Sequence, residues 1–275
     1  MRLEDWVGRE EERRDVVTAA PLAALSALLD RDEPPPGPGD AAPPLAHWLY
    51  FLPRYLQSAA GPDGHAARGE FLPPVPLPRR MWAGSRLEFV RPLRVGAEVV
   101  RRSRIASVKS KEGRSGPLVF VTARHEVSDA DGVVLSDEHD IVYRGEGGAA
   151  APAVPAPGGE AWRREIRPDP LLLFRYSAVT FNGHRIHYDH PYATQVEGYP
   201  GLVVHGPLIA TLLVDLLRRN RPDVVLRTYA FRATRPLFDT ASFSTCGLPE
   251  ASGRSARLWT RDAQGAVTME ATATW

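Results

Sequence analysis

Residues 176–189 combine side chains that can handle protons with the apolar residues of a predicted strand. The segment reads Tyr-Ser-Ala-Val-Thr-Phe-Asn-Gly-His-Arg-Ile-His-Tyr-Asp, which places Asn182 and His187 five residues apart. An imidazole titrates near neutral pH, so His187 can serve as a general base, whereas the amide of Asn182 cannot ionise usefully. Both residues also have ordinary structural roles, since a lone histidine is often exposed or packed in a core and Asn182 can satisfy its own backbone in a turn. The segment is therefore a candidate site for proton transfer with one titrating base.

The histidines in and after this segment raise the alternative of a metal site. His184, His187, His190 and His205 offer imidazole nitrogens, but no carboxylate pattern accompanies them. We therefore predict no metal, and we expect His184 and His205 to support the site or to pack in the core. The sequence also lacks the glycine motifs of nucleophile-elbow hydrolases, P-loop kinases and dinucleotide-binding dehydrogenases. No cofactor is predicted.

The composition favours a small-molecule partner. The 275 residues carry 34 basic and 33 acidic side chains and are 43% apolar, which suits one large domain or two ordinary ones. No run of like charge indicates a nucleic-acid or membrane-surface segment, and no apolar run reaches the ~20 residues of a membrane span. The charged N-terminus lacks the apolar centre of a signal peptide, so we expect a cytosolic protein. The single cysteine, Cys246, excludes an intramolecular disulfide and is expected in a strand.

The two halves of the chain repeat the same short features in the same order. Residues 146–160 are rich in Ala, Pro and Gly without apolar periodicity, and we interpret them as a linker between domains at residues 1–145 and 161–275. Each half has an apolar helix opening with Pro-Leu, a strand running into Arg-Pro-Leu, a Gly-Arg-Ser before a strand, and a turn before a last strand. These features begin at Pro21, Arg91, Gly113 and Asp129 in the first half and at Pro207, Arg235, Gly253 and Asp262 in the second. Four matches in one order indicate a duplicated unit.

The predicted unit is a helix followed by an antiparallel sheet. Residues 118–122 and 267–272 have the β-branched content or the alternation of hairpin-connected strands. The helix that begins at Pro207 is apolar on almost every side as far as Leu217, so it should be buried. A buried helix wrapped by a curled antiparallel sheet is the hot-dog architecture. The predicted fold class is therefore α+β, a tandem double hot dog with two antiparallel sheets that each wrap a central helix.

The halves differ in the position of their additional residues. The first half carries a long Pro-rich stretch, residues 32–80, between its helix and its Arg-Pro-Leu strand. The second half carries its additional residues before the helix, at 175–205, and these include most of its polar functional groups. We therefore expect the second half to supply the chemistry and the first to supply walls for a long substrate. On this interpretation His125 and His139 contribute to stability at most.

The segment around Asn182 and His187 resembles a motif of the MaoC-like (R)-specific enoyl-CoA hydratases, the hydratase branch of the hot-dog superfamily. That motif places an Asp five residues before a catalytic His, and here Asn182 stands in the first position. The chain is more similar to the type-2 hydroxyacyl-thioester dehydratases and the mesaconyl-C4-CoA hydratases, and its first half resembles the FAS1-like dehydratase domain that accompanies them. The matching segments are residues 180–188 and 196–208 in the second half and residues 6–10 and 77–84 in the first.

This resemblance implies a hydro-lyase that reversibly hydrates an acyl-CoA thioester, with a branched C4 dicarboxylyl substrate of the mesaconyl-C4-CoA type favoured. It implies that His187 handles the protons while Asn182 orients the water through its amide. The backbone N–H groups around Gly206, at the start of the buried helix, can face the thioester oxygen, where the helix dipole favours negative charge. Arg185 and Arg232 are candidate partners for phosphate or carboxylate groups, although surface arginines are more often solvated.

Other functions remain open on the same fold. One is the dehydration of 3-hydroxyacyl thioesters in fatty-acid or polyketide metabolism. Another is a catalytically silent subunit that binds acyl thioesters, because a fold does not fix a function. A thioesterase ranks third, since the spacing of Asn182 and His187 is of the hydratase type. A homodimer is compatible with each of these interpretations.

Overall fold

Ten antiparallel strands form one continuous sheet in a computed structural model, which describes residues 2–66, 68–113, 116–145 and 152–275. In chain order the strands are β1 (Glu10–Val16), β2 (Arg79–Phe89), β3 (Glu98–Gly113), β4 (Gly116–Asp129), β5 (Gly132–Arg144), β6 (Trp162–Ile166), β7 (Thr228–Ala233), β8 (Phe243–Pro249), β9 (Ser255–Arg261) and β10 (Val267–Thr274). The α-helices in these ranges are α1 (Ala19–Leu28), α2 (Pro170–Thr180) and α3 (Gly206–Asn220). Short 3-10 turns lie at Leu3–Trp6, Ala46–Leu49, Gln57–Ala59 and Arg185–His187, and a π-helical turn lies at Tyr192–Val196.

The order of strands in the sheet repeats between the two halves of the chain. The order is β1-β3-β4-β5-β2-β7-β10-β9-β8-β6, so each half places its first strand at an outer edge and its second strand at the centre. The predicted turns at residues 129–132 and 262–265 connect β4 to β5 and β9 to β10, and Cys246 is buried in β8. The shared topology confirms the predicted duplication and the double hot-dog fold.

The two halves join where β2 pairs with β7. The paired residues run from Gly84 opposite Arg232 to Glu88 opposite Thr228, so the two sheets expected from the repeat are continuous with each other. Gly84 lies at a register shift in β2. A Cβ atom on Gly84 would lie 2.3 Å from the carbonyl oxygen of Phe231. The close approach of the central strands therefore requires glycine at this position.

Helix α3 is the buried helix expected from the sequence. Every residue from Leu208 to Leu217 is buried, and the helix lies against β6, β8, β9 and β10. Its buried carboxylate, Asp215, forms ion pairs with Arg31, Arg164 and Arg219 at 2.7–2.8 Å. Because an unpaired buried charge is costly, these arginines are needed to keep Asp215 in the core.

Helix α1 is shorter than α3 and packs differently. It buries Leu22, Leu25 and Leu28 and contacts α2 and the 3-10 turn Ala46–Leu49. A run of prolines at residues 34–36 follows it, and proline cannot continue a helix. None of the described helices is long and apolar enough to cross a membrane.

Helix α2 was not predicted, and the interpretation of residues 176–189 as part of a strand is wrong. Residues 176–180 form the end of α2, and residues 185–187 form a 3-10 turn. The side chain of Asp169 accepts a hydrogen bond from the backbone N–H of Leu172 at 2.8 Å, and Pro170 occupies the first helical position. Asp followed by Pro is a typical helix start. The sequence therefore contains a signal for α2, but this signal lies before residues 176–189, which carry the proton-transfer side chains.

The described part of the predicted linker runs along the second half. The backbone N–H of Val267 donates to the carbonyl of Val154 at 2.8 Å, and that of Ala156 donates to Gly265 at 2.9 Å. Residues 146–151 lie outside the described residues, as do residues 114–115 of the first Gly-Arg-Ser feature. The division into domains at 1–145 and 161–275 stays a prediction.

Candidate active site

The proton-handling segment begins where α2 ends and continues into the 3-10 turn Arg185–His187. Phe181 ends α2 with a φ of 50°, and the backbone N–H of Asn182 donates to the carbonyl of Ser177 at 2.8 Å. This is the usual left-handed closure of a helix C-terminus. The following turn buries both Ile186 and His187. The local fold therefore directs His187 into the protein interior.

A hydrogen bond to the backbone fixes the tautomer of His187. Its Nδ1 lies 2.7 Å from the carbonyl oxygen of Val203, and because a carbonyl only accepts, Nδ1 carries the proton and Nε2 keeps its lone pair. Burial lowers the pKa of His187 to about 4, against the opposing effect of the Val203 hydrogen bond. Within the described residues Nε2 has no hydrogen-bond partner. At neutral pH His187 is therefore an uncharged base with an available lone pair.

His205 places the ring of His187 beside the start of α3. The two rings are stacked, with centroids 3.7 Å apart and planes at 19°. His205 is fully buried, and its Nε2 lies 2.8 Å from the hydroxyl of Ser177. Burial lowers the pKa of His205 well below its usual value, so the stack does not bring two positive charges together. This position agrees with the supporting role expected for His205.

Gly206 is the first residue of α3 and follows His205 directly. Its backbone N–H donates to no acceptor in the part of the chain that the structure describes. A Cβ atom at this position would lie 3.7 Å from the carbonyl oxygen of Trp82, an ordinary contact distance. The N-terminus of a helix favours negative charge. The structure therefore brings together His187 and the N–H group predicted to hold the thioester oxygen, and that role stays a prediction.

The side chain of Asn182 forms the turn that the sequence analysis kept as its structural alternative. Its Oδ1 accepts the backbone N–H of His184 at 3.0 Å, which is an Asx turn. The ring of His184 lies 5.3 Å from that of His187 and perpendicular to it. Asn182 therefore helps to hold His184 beside the base. Its predicted role in orienting water would use the remaining amide hydrogens or the second lone pair of Oδ1.

Arg185 is engaged by other parts of the protein. Its Nε and Nη2 lie 3.0 and 2.8 Å from Asp189 Oδ2, and its guanidinium covers the ring of Tyr192 at 4.1 Å. Its Nη1 donates to the carbonyl of Pro62 at 3.0 Å. These contacts attach the first half of the chain to the second. They favour a structural role for Arg185 over the predicted binding of substrate phosphate or carboxylate.

The structure does not bring Arg232 to His187. Arg232 lies in β7, where its neighbours Tyr229 and Phe231 point into the core. Because successive side chains of a strand point to opposite faces, Arg232 lies on the outer face of the sheet and is exposed. The outward orientation of Arg232 depends on which face of β7 is covered. The residues around Arg232 in the sequence do not predict that.

Asp63 and His65 from the first half reach the site, which the sequence analysis had assigned to the second half alone. The carbonyl of Asp63 accepts the backbone N–H of Arg185 at 2.9 Å, and the ring of His65 lies 4.1 Å from that of His184. A Cβ atom on Gly64 would lie 1.9 Å from the carbonyl oxygen of Gly183. The Asp-Gly pair at 63–64 signals a turn, but such a signal does not predict where the turn packs.

Asp63, His65 and His184 have the atoms to hold a metal ion. One ligand atom from each lies within 4.8 Å of the others, and zinc accepts such a set of nitrogen and oxygen donors. Burial is the largest effect that lowers the pKa of both His65 and His184, and the positive charge of Arg80 acts in the same direction, so that the pKa of His184 is about 2. The same charge disfavours a cation at this point. The prediction that no metal is bound therefore stays in place.

Arg80 is a partly buried cation beside these histidines. It lies in β2 opposite Tyr143, within the segment 77–84 that carried the resemblance. In residues 2–66, 68–113, 116–145 and 152–275 no carboxylate forms an ion pair with it. A guanidinium without a carboxylate partner can bind an anionic group of a ligand. Arg80 was not predicted from the sequence, because nothing in its spacing distinguishes it from the neighbouring Arg79.

Comparisons with known proteins identify the family of the chain. Residues 45–239 match the family described as hydroxyacyl-thioester dehydratase type 2. The chain is 45% identical over 271 residues to mesaconyl-C(4)-CoA hydratase of Chloroflexus aurantiacus, and the alignment covers 97% of this chain and 95% of that protein. Both findings agree with the hydratase and dehydratase class predicted from the sequence.

Solved structures share the fold. HtdX of Mycobacterium tuberculosis has a TM-score of 0.67 at 23% identity, covering 96% of this chain and 99% of that one. A conserved hypothetical protein of the same organism, described as having a double hot-dog fold, has a TM-score of 0.60 at 15% identity, covering 98% and 96%. At these identities the likeness concerns the fold alone. The family match at residues 45–239 covers more than half of the chain. The chain therefore belongs to the hydroxyacyl-thioester dehydratase type 2 family.

Proposed function

We propose that this protein adds water across the double bond of an α,β-unsaturated acyl-CoA thioester, with His187 as the base. The observation that carries the proposal is the orientation of His187, whose Nδ1–H donates to Val203 while its Nε2 is free and its ring stacks on His205, the residue before α3. Its lowered pKa of about 4 keeps it unprotonated at neutral pH. An uncharged imidazole with a free lone pair can take a proton from water. Membership of a dehydratase family supports this chemistry.

Each atom of the water is accounted for in the proposed reaction. Nε2 of His187 takes one proton as the water oxygen bonds to Cβ, and the electrons of the double bond move toward the thioester to form an enolate. The N–H of Gly206 donates to the thioester oxygen, where the dipole of α3 favours the developing charge. His187 then gives the proton to Cα and returns to its neutral form. The amide of Asn182 hydrogen-bonds to the water before it attacks.

We propose mesaconyl-C4-CoA as the substrate, with citramalyl-CoA as the product. The 45% identical protein of Chloroflexus aurantiacus, which is named for this substrate, supports the choice. In this thioester a carboxylate is attached to Cβ, so the reacting carbon brings a negative group close to His187. Arg80 provides a positive charge beside His184, the neighbour of His187. An ion pair between Arg80 and the substrate carboxylate would select this thioester over uncharged ones.

The proposal is tested with a panel of saturated, unsaturated and carboxylated acyl-CoA thioesters. Loss of the enoyl-thioester absorbance measures hydration, and mass spectrometry checks the gain of one water. We expect the highest kcat/KM for mesaconyl-C4-CoA. Arg80→Met should raise KM for that thioester by about 10-fold or more while leaving an uncarboxylated enoyl-CoA unaffected. Equal losses on both thioesters would remove Arg80 from substrate recognition.

A second candidate is the dehydration of 3-hydroxyacyl thioesters, which the description of the family supports. Faster turnover of an uncarboxylated 3-hydroxyacyl-CoA than of mesaconyl-C4-CoA would favour it. Thioester binding without turnover of any member of the panel would instead identify a silent binding subunit. A homodimer and a cytosolic location, both compatible with the sequence, belong to the same proposal and are tested by sedimentation and by cell fractionation.

A further inference from the structure

Asp63 and His65 form a carboxylate–imidazole pair that the reaction proposed above does not use. The backbone N–H of His65 donates to Asp63 Oδ1 at 3.0 Å, and His65 Nδ1 lies 3.0 Å from Asp63 Oδ2. Burial alone would raise the pKa of Asp63, but the contacts with His65 outweigh it and lower the pKa, so the carboxylate is ionised. Because a carboxylate only accepts, Nδ1 of His65 carries the proton and Nε2 keeps a lone pair.

The pair is fixed against the second half of the chain. Arg185 donates its backbone N–H to the carbonyl of Asp63 at 2.9 Å and its Nη1 to that of Pro62 at 3.0 Å. The hydroxyl of Tyr55 donates to the carbonyl of Gly64. A Cβ atom on Gly183 would lie 2.8 Å from the same carbonyl oxygen. The loop that carries Asp63 and His65 is therefore held in one position relative to the site.

His184 lies near both His65 and His187. The ring of His184 is 4.1 Å from that of His65 and 5.3 Å from that of His187, and a positive charge on His65 would lower the pKa of His187. Among the described residues, neither Nε2 atom has a hydrogen-bond partner. Neither Nε2 atom is among the fully buried polar atoms that lack a hydrogen-bond partner. Two imidazole lone pairs are thus accessible in one small region.

A water molecule that attacks carbon has two protons to direct, and both must point away from the carbon for its lone pair to face it. His187 accepts one of them. Asn182 Oδ1 already accepts the backbone N–H of His184. Building on the proposed hydration, we propose that Nε2 of His65, with its tautomer fixed by Asp63, accepts the second proton in a hydrogen bond and positions the water. Only the proton directed at His187 is transferred, and Asp63 is a positioning residue that acts through His65.

Three variants separate the lone pair of His65 from the volume of its side chain. His65→Leu removes the acceptor, whereas His65→Gln places an amide oxygen near the position of Nε2. Asp63→Asn keeps the shape, but its amide donates to Nδ1 and moves the proton of His65 to Nε2, which turns the acceptor into a donor. We expect kcat to fall about 10- to 100-fold in His65→Leu and in Asp63→Asn with little change in KM, and His65→Gln to recover most of the loss.

The matched control is His190→Leu, which changes an exposed histidine near the site and should leave kcat unchanged. Wild-type kcat in Asp63→Asn, or in a folded His65→Leu, overturns the inference and leaves hydration by His187 intact. Equal losses in His65→Leu and His65→Gln, with equally lowered melting temperatures, would assign the pair a purely structural role and also overturn it. Activity that EDTA abolishes and zinc restores would identify a metal site instead. No turnover by the wild-type protein would overturn the proposed function itself.

Discussion

The rings of His187 and His205 stack with their centroids 3.7 Å apart, and each ring is held by its own buried hydrogen bond. His187 bonds to the carbonyl of Val203 and His205 to the hydroxyl of Ser177. Neither ring can turn without breaking a bond that water does not reach, which costs free energy. The stack therefore holds the ring of His187 against His205, the residue before α3, before any substrate binds, and such preorganisation favours catalysis.

Two substitutions at His187 remove the proposed base, and one of them keeps the hydrogen bond to the carbonyl of Val203. His187→Ala should lower kcat by about 100-fold or more, the usual scale for a general acid–base group, with thioester binding largely intact. His187→Asn is the sharper variant, since its amide can still donate to Val203 but has no atom at the position of Nε2. We expect both variants to lose activity and His187→Asn to keep the higher melting temperature. Wild-type hydration rates in either folded protein would refute the mechanism.

The pH dependence of the wild-type enzyme gives an independent check on His187. Because its pKa is lowered to about 4, the active, unprotonated form predominates at every pH above that value. We expect kcat/KM to stay level between pH 8 and pH 6 and to fall only as the pH approaches 4. A decrease in kcat/KM centred near pH 6.5, the ordinary pKa of histidine, would mean that the ring of His187 is more solvated than the structure indicates.

Asn182→Asp separates the turn from the charge at this position. Asp keeps an oxygen that can accept the backbone N–H of His184, so the turn should survive. It also adds a carboxylate near His187, which raises the imidazole pKa. We expect measurable activity with the acid limb of the pH–rate profile moved to higher pH, and severe impairment in Asn182→Ala. Wild-type rates in Asn182→Ala would leave His187 as the base and remove Asn182 from the positioning of water.

The sequence predicted the parts of the site that lie close together in the chain. The spacing of Asn182 and His187 and the glycine before Pro207 identified residues that the structure places in one region. Asp63 and His65 were missed because they reach the site through a contact across more than 100 residues, which no local pattern encodes. Arg232 was misplaced because a strand residue's face depends on which side of the sheet is covered.

The repeated features of the two halves predicted the topology of the sheet more completely than they predicted the helices. Turns and strand ends are set by local residues such as Gly and Pro, and these recur in both halves. The continuity of the sheet across β2 and β7 depends instead on the close approach at Gly84. That approach is a property of two strands about 150 residues apart, and only the folded structure reveals it.

Gly206→Ala tests the backbone N–H at the start of α3. The added Cβ would make an ordinary contact with the carbonyl of Trp82, and alanine suits a helix better than glycine. We therefore expect an unchanged or higher melting temperature. The methyl group should nevertheless obstruct the approach of the thioester oxygen, so kcat should fall by roughly 10-fold or more. Full activity in a stable Gly206→Ala protein would exclude this N–H from holding the oxygen.

His139→Ala should lower stability and leave the chemistry intact, as the sequence analysis predicted. Asp137 is fully buried and accepts hydrogen bonds from His139 at 2.6 Å, Trp48 at 3.0 Å and His47 at 3.1 Å. Losing one donor leaves a buried carboxylate less satisfied, which lowers the melting temperature. His125→Ala loses one hydrogen bond to a serine and should have a smaller effect. Loss of kcat in either folded variant would extend the chemistry to this cluster.

The stability of the protein should fall as the pH drops below about 6.5, the ordinary pKa of histidine. Burial lowers the pKa of several histidines in the folded state: His47, His125, His184, His187 and His205. Above pH 6.5 these groups are neutral in both states and contribute no pH dependence. Below it the unfolded chain binds protons that the folded chain does not, so each histidine lowers the free energy of unfolding by roughly 1 kcal/mol per pH unit.

Melting temperatures measured at constant ionic strength between pH 8 and pH 5 test this sign. We expect a level region from pH 8 to pH 7 and a progressive decrease from pH 6.5 to pH 5. Asp137, whose carboxyl pKa is held well below its usual range by His139 and His47 against the effect of burial, should not contribute until the pH falls below about 4. His187→Asn removes one of the titrating groups and should therefore flatten the decrease below pH 6.5. A melting temperature that stays level down to pH 5 would show that these imidazoles take up protons in the folded state, and His187 would then be too weakly buried to remain the neutral base.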